Sequence, residues 1–247
     1  MKLEIAVQDV DGVRVAAQGG ADRVELCQAL PLGGLTPSLG LVELATGVGT
    51  DVHVLVRPRA GGFLFTATEV SVMVRDIEAL VDAGAAGVVV GALTDDGGGV
   101  ELDRHALKAL VRAAEGIEVT VHRCVDVLLA RAADPAALVE RLVGLGVARV
   151  LTSGGAPWAL GGVGTLAALV DAADGRLEVM AGGRVRPGHM AALAQAGVDA
   201  VHLSARTPAH DAGPAGPGGG PVVYDSTDPA LVQAARSAVL EAGRSPR

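Results

Sequence analysis

The sequence predicts an α/β fold, a (β/α)8 TIM barrel in a single domain, and three observations lead there. Eight strand-like runs alternate with eight helix-like runs at even spacing through 247 residues. Helical runs end in phrases such as Ala83-Gly84-Ala85-Ala86-Gly87 and Ala196-Gly197-Val198-Asp199-Ala200, a helix stop running into a parallel strand. No shift of composition marks a domain boundary, and eight such units in this length fit a closed barrel better than an open sheet.

The first strand is expected at 3–7, followed by a helix over 10–18 that Gly19 closes. The second, at 23–26, alternates: Val24 and Leu26 point one way, Arg23, Glu25 and Cys27 the other, the period-two signature of a strand with two different faces. Gly33-Gly34 gives a turn with access to positive φ. Thr36-Pro37 reads as an N-cap followed by proline at the first helical position, ahead of a helix to residue 46. Strands at 52–57, 87–91 and 118–122 then lead to helices over 69–83, 103–114 and 135–145. Strands at 149–152, 177–181 and 200–204 lead to helices over 164–173, 187–196 and 229–242. Gly19, Gly84, Gly146 and Gly197 close their helices as left-handed C-caps would. The stretch 208–221, rich in glycine and proline, is read as a long loop on the expected active face rather than a linker.

Composition narrows the function classes. Hydrophobic residues are 50% but aromatics only 2%, so the core is built from Val, Leu and Ala. A net charge of −8 argues against a nucleic-acid partner and against an anionic membrane surface. The longest uncharged apolar run, 83–94, is too short to span a bilayer. Glu4, Gln8 and Asp9 interrupt the opening apolar pattern, which does not read as a signal peptide. Two cysteines without a spacing motif fit a reducing cytoplasm. Only Lys2 and Lys108 are lysines and neither ends a strand, so Schiff-base aldolase chemistry is set aside.

Strand parity separates two faces. Leu3, Ile5, Val7, Val24, Leu26, Val52, Val54, Val56, Val119, Val121, Val201 and Leu203 form a uniformly apolar set that faces the helices. The other set points inward and carries Glu4, Arg23, Glu25, Cys27, His53, Arg57, Thr120, His122, Glu178, His202 and Ser204, where an ordinary barrel interior is branched aliphatic. Charges there must pair, because an isolated buried charge is strongly unfavourable. Glu4, Arg23, His53 and Glu178 lie deepest from the carboxyl ends and read as an ion-pair plug. Glu25, Arg57, His122 and Ser204 lie nearer the carboxyl ends and read as a functional layer.

Three strand ends carry small residues: Thr152-Ser153-Gly154-Gly155, Gly182-Gly183-Arg184 and Ser204-Ala205-Arg206. Barrels often hold phosphate at the last strand ends through glycine amides and a helix N-terminus, and Arg184 or Arg206 would add a charge-assisted contact. Nucleotide-binding glycine motifs are absent. For a metal, Cys27 and Cys124 follow strands two and five, but no ligand spacing supports a cluster. A solitary cysteine at a strand end more often packs as a small hydrophobe.

The phrases LEIAVQDV, GGADRVELCQALPLGGLTPS, VHVLVRPRAGGF, GALTDDG, VTVHRCVD, RVLTSGG, VMAGGRVRP and HLSAR occur in this order over about residues 3–206. Together they resemble the CutC family, named for copper homeostasis. The resemblance implies a (β/α)8 barrel, a cytoplasmic homodimer or higher homo-oligomer, and a link to copper. It carries Glu25, Arg57, Arg59, His122, Arg123 and Asp126 as candidate catalytic residues, and Thr152, Ser153, Gly154, Gly182 and Gly183 as matching strand-end positions. In members proposed to bind Cu(I), a first-strand cysteine pairs with the cysteine matching Cys27; here that first position is Ala6, leaving Cys27 as the metal candidate. Cys124 stands where the family usually has alanine, and Arg184 where glycine is common.

Two functions therefore stand side by side. One is a copper homeostasis protein with copper ion binding at Cys27. The alternative is a barrel enzyme acting on a small anionic or phosphorylated metabolite. In it Glu25 and His122 are acid/base groups, Arg57 and Arg59 clamp the anion, and Thr152, Ser153, Gly154, Gly182, Gly183 and Ser204 hold a phosphate or cofactor.

Overall fold

The computed structural model describes residues 1–210, 213, 216–217 and 223–244. Its centre is a closed barrel of parallel strands: β1 (Lys2–Val7), β2 (Arg23–Leu26), β3 (Val52–Leu55), β4 (Gly87–Val90), β5 (Glu118–Val121), β6 (Arg149–Thr152), β7 (Glu178–Ala181) and β8 (Ala200–Leu203). Each strand pairs with its sequence neighbours, and β8 closes on β1 from Lys2↔Ala200 to Ile5↔Leu203. The helices are α1 (Val10–Gln18), α2 (Leu39–Thr46), α3 (Ala67–Asp82), α4 (Arg104–Ala113), α5 (Val125–Leu129), α6 (Pro135–Val143), α7 (Val163–Ala173), α8 (Met190–Gln195) and α9 (Pro229–Ala242).

Local chemistry explains most helix starts. Asp9, Asp103, Asp134 and Asp228 each accept a hydrogen bond from a backbone N–H of the following turn, and Pro135 and Pro229 occupy first-turn positions. Thr66 and Glu69 form a reciprocal capping box at α3. The apolar strand face packs against the helices as expected: Ile5, Leu26, Val54 and Val121 share one buried core with Val13, Ile77, Leu110 and Leu166. Each fully buried side chain of this kind stabilises by roughly 1.5–3 kcal/mol.

Several elements differ from the sequence-based expectation. Thr36 does not cap α2: Ser38 does, accepting from the Leu41 N–H, while Thr36 Oγ1 accepts from the Arg57 N–H at 2.9 Å. Gly19 is right-handed at φ −76°, and the left-handed residue is Gly20 at φ +84°. Gly19 answers a packing demand instead, because a Cβ there would lie 2.4 Å from Val232 Cγ1. The start of the expected 208–221 loop is a strand: Arg206–His210 pairs antiparallel with Val223–Thr227. Residues 211–212, 214–215 and 218–221 of that stretch lie outside the described residues. The five-residue α5 and the hairpin of Leu93–Asp95 with Val100–Leu102 are too short to carry a readable period.

Inside the barrel, the amino-terminal half is a continuous ionic network. Arg23 donates to Glu4 at 2.6 Å and to Glu178 at 2.7 Å. Arg149 donates to Glu178 at 2.6 Å, to Glu118 at 2.8 Å and to Thr120 at 3.0 Å. Strand register makes the network: Glu4 lies opposite Arg23, and Arg149 opposite both Thr120 and Glu178. Glycines on β4 and just past it leave space for imidazoles, since a Cβ on Gly87 would meet the His53 ring at 2.7 Å and one on Gly91 the His122 ring at 2.3 Å.

Candidate functional site

A cavity of about 730 Å³ opens at the carboxyl ends of the strands. It gathers Glu25, Arg57, His122, Arg123, Gly183 and Ser204 from the sequence-derived set. Arg59, Asp126, Thr152, Ser153, Gly154, Gly182 and Cys27 do not line it.

At the floor, Glu25 is 6% exposed and its Oε2 has no hydrogen-bond partner among the described residues. Burial pushes its carboxyl up to about 7; the His202 charge opposes that and Glu4 adds to it. Beside it His202 Nδ1 lies 2.7 Å from Glu4 Oε1 and 4.0 Å from Glu25 Oε2. Burial opposes ionisation of Glu4, yet the hydrogen bond to His202 and the charges of His202, Arg23 and His53 hold it down at about 2. Burial works against the His202 imidazolium as well, but Glu25 and Glu4 together raise its pKa.

His122 ends β5. Its Nδ1 accepts the Cys124 N–H at 3.2 Å, so the proton of the neutral ring belongs on Nε2, a buried atom with no partner among the described residues. Burial, helped by the Arg57 charge, depresses the ring to about 4, which keeps it neutral at physiological pH. Phe63 packs on it at a ring separation of 4.8 Å.

Arg57 is a latch. It donates to the carbonyls of Leu32 and Gly34, both at 3.0 Å, and of Gly61 at 2.6 Å, tying together the loops after β2 and β3. Its Nε has no partner among the described residues, and its Cζ lies 5.4 Å from the Phe63 ring centre. Arg59 turns away to the Glu69 carboxylate and the carbonyls of Gly62 and Leu64, so its charge is held by the loop rather than presented to the cavity.

The strand-six donors expected to hold a phosphate are occupied by a carboxylate of the chain itself. Asp126 on α5 accepts from the Thr152 hydroxyl, the Ser153 N–H at 3.0 Å and the Gly155 N–H at 3.1 Å. Gly154 N–H donates to Thr152 Oγ1 at 2.9 Å. Asp126 and Ser153 also hold Arg123, which donates to Asp126 at 2.7 Å and to Ser153 Oγ at 2.9 Å. Gly182 N–H is bonded to the Thr152 carbonyl at 2.9 Å, and Gly183, at φ +101°, gives Arg123 room to cross. Ser204 is exposed on the cavity wall. Arg184, at φ +53°, and Arg186 join Arg123 on that wall and make its rim positive.

Cys27 is fully buried, and burial together with the Glu25 charge raises its thiol pKa. Cys124 is also fully buried, with its thiol raised by burial and by Asp126. Both are free thiols. Sequence reasoning missed Arg149 and Glu118 as network partners and His202 as the residue joining Glu4 to Glu25. Inward parity was the available signal: His202 was on the inward face, but which neighbour it met depended on closure of β8 onto β1.

Comparison with known proteins points one way. The model of the CutC family matches residues 1–207. A family protein CutC of Agrobacterium fabrum (strain C58) is 49% identical over 193 residues, which is 78% of this chain and 74% of that one. A family protein CutC of Xanthomonas campestris pv. campestris (strain 8004) is 46% identical over 210 residues, 84% and 85% of the two chains. Among solved structures, a CutC protein of Streptococcus agalactiae, whose name links it to copper homeostasis, superposes with a TM-score of 0.75 at 29% identity, covering 82% of this chain and 97% of that one. The chain belongs to the CutC family.

Proposed function

We propose that the carboxyl-end cavity is the site of an enzyme that binds and acts on a small anionic metabolite. The observation that carries this reading is that two buried polar atoms, Glu25 Oε2 and His122 Nε2, lack partners among the described residues while their residues line one cavity. Buried polar groups are normally satisfied, so such atoms in a concave site mark groups reserved for a ligand. Arg184 and Arg186 supply the positive wall, Arg123, paired with Asp126, adds guanidinium donors, the neutral His122 donates a hydrogen bond, and Glu25 is the acid/base group.

The copper reading draws on the family name and on Cys27. Cu(I) favours two or more soft sulfur ligands. Here Cys27 is buried with its ionisation disfavoured, and Ala6, which lies opposite Glu25 in the β1–β2 register, offers no second thiol. Among the described residues, the one group of three potential metal ligands contains no cysteine. The residues of this chain do not fit a Cu(I) centre.

Calorimetric titration with inorganic phosphate, 3-phosphoglycerate and citrate tests the enzyme-like reading. Saturable one-to-one binding of at least one probe, lost in His122→Ala and Arg123→Ala while thermal unfolding remains cooperative, is expected. No binding of any probe, or binding that both variants retain, overturns it. The family resemblance further leads us to expect a cytoplasmic homodimer or higher homo-oligomer, which light scattering on the purified chain checks for assembly. Among the described residues no helix is long and apolar enough to cross a membrane.

A further inference from the structure

The floor of the cavity holds two carboxylates and one imidazole in a single cluster. One ligand atom from each of Glu4, Glu25 and His202 falls within 4.8 Å of the other two. A cluster alone would be an ion-pair arrangement. What separates this one is Glu25 Oε2: its residue is more than nine-tenths buried, it has no hydrogen-bond partner among the described residues, and it stops 4.0 Å short of His202 Nδ1. A buried carboxylate oxygen left without a donor is costly unless something else supplies positive charge.

We propose that Glu4, Glu25 and His202 bind a divalent cation of the zinc or manganese type at the floor of the cavity. Two carboxylates and a neutral imidazole are a donor set of hard to borderline character and suit such ions rather than Cu(I). The cation replaces the proton shared between His202 Nδ1 and Glu4 Oε1 and gives Glu25 Oε2 the partner it lacks. Arg23, donating at 2.6 Å to Glu4 Oε2, orients that carboxylate from behind as outer partners of metal ligands do. Three protein ligands leave a coordination position open, and Glu25 and His202 line the cavity where an anion would enter. The inference rests on the cavity being a ligand site. A cation held there would make Glu25 a ligand rather than the acid/base group and would supply an acidic bound water for proton exchange in its place.

The test is titration of the purified, metal-stripped full chain with zinc(II) and manganese(II) chloride, followed by calorimetry and, for manganese, by electron paramagnetic resonance. One-to-one binding is expected. It should weaken in Glu25→Gln and His202→Gln by more than the roughly 10- to 100-fold that loss of an outer partner costs, and stay unchanged in Cys27→Ser. Absence of saturable binding in the wild type overturns the proposal, as does binding that survives both ligand variants or is lost in Cys27→Ser. Two variants guard against misfolding, since both must keep the wild-type circular dichroism spectrum to count. Cation binding without binding of any anionic probe sinks the enzyme-like reading alone; anion binding without cation binding sinks this proposal alone.

Discussion

The two ends of the barrel interior use the same residue types in opposite ways. At the amino end Arg23, Arg149, Glu118 and Glu178 saturate one another, and Arg149 is almost completely buried with its guanidinium bonded to two carboxylates and a hydroxyl. At the carboxyl end Glu25 and His122 are equally enclosed, yet each keeps an atom without a partner among the described residues. Inward polarity alone is therefore no mark of function in this barrel. The distinguishing feature is where unused hydrogen-bonding capacity points: the amino-end network consumes nearly all of its own, His53 Nδ1 excepted, whereas Glu25 and His122 line a cavity.

This contrast can be broken by mutation, and the amino end should respond most. Arg149→Ala leaves Glu178 with Arg23 alone and half-exposed Glu118 to water, and a loss of about 3 kcal/mol in urea unfolding, the low end for breaking a buried pair, is expected. Glu25→Gln at the other end should leave stability within about 1 kcal/mol of wild type, because no internal bond of its Oε2 is lost. Equal losses in the two variants would erase the distinction.

Acid is the next lever. His122 is held at about 4 in the folded chain against an ordinary 6.5, and Glu178 at about 2 against 4.5, both binding fewer protons folded than unfolded. Stability contributed by both is complete above pH 6.5. It should fall as pH drops from 6.5 toward 4 through His122, then further from 4.5 toward 2 through Glu178. Glu25, raised to about 7 against 4.5, acts with the opposite sign and gains stability as pH falls from 7 toward 4.5, so it offsets His122 in the wild type. Thermal unfolding of Glu25→Gln across this range exposes the His122 fall: adding His122→Phe to that variant should remove it, and a flat Glu25→Gln curve between pH 6.5 and 4 would contradict the buried neutral imidazole.

Smaller effects sharpen the picture of the cavity wall. Arg57→Ala should speed amide exchange in residues 32–34 and 61, whose loops it ties, and cost roughly 1–3 kcal/mol through lost charge-assisted bonds. Unchanged exchange would leave Arg57 without its latch role. Arg184→Gly should relieve left-handed strain and stabilise by about 1 kcal/mol or less, while weakening binding of an anionic probe. Stabilisation with no change in anion binding would remove Arg184 from the positive wall.

Local pattern laid down the barrel and the division of its strands into an apolar and a polar face, and it placed most helices, though the cap read at Thr36 belongs to Ser38. Those features arise from periods of two and from short-range capping, which a linear reading can see: Val24 and Leu26 against Arg23 and Glu25, Asp134 before Pro135. The inward polar set was legible as a set, but Glu4, read with the deep members, joins His202 beside Glu25 at the cavity floor. Tertiary structure alone decided who met whom. His202 reaches Glu4 only because the last strand closes on the first, 198 residues away. Arg59 is taken by Glu69, and Asp126 fills the strand-six donors that resembled a phosphate cradle, because helices α3 and α5 dock where they do. Pairing between residues far apart in the chain depends on register and closure rather than on local pattern, and that pairing separates a plug from a site.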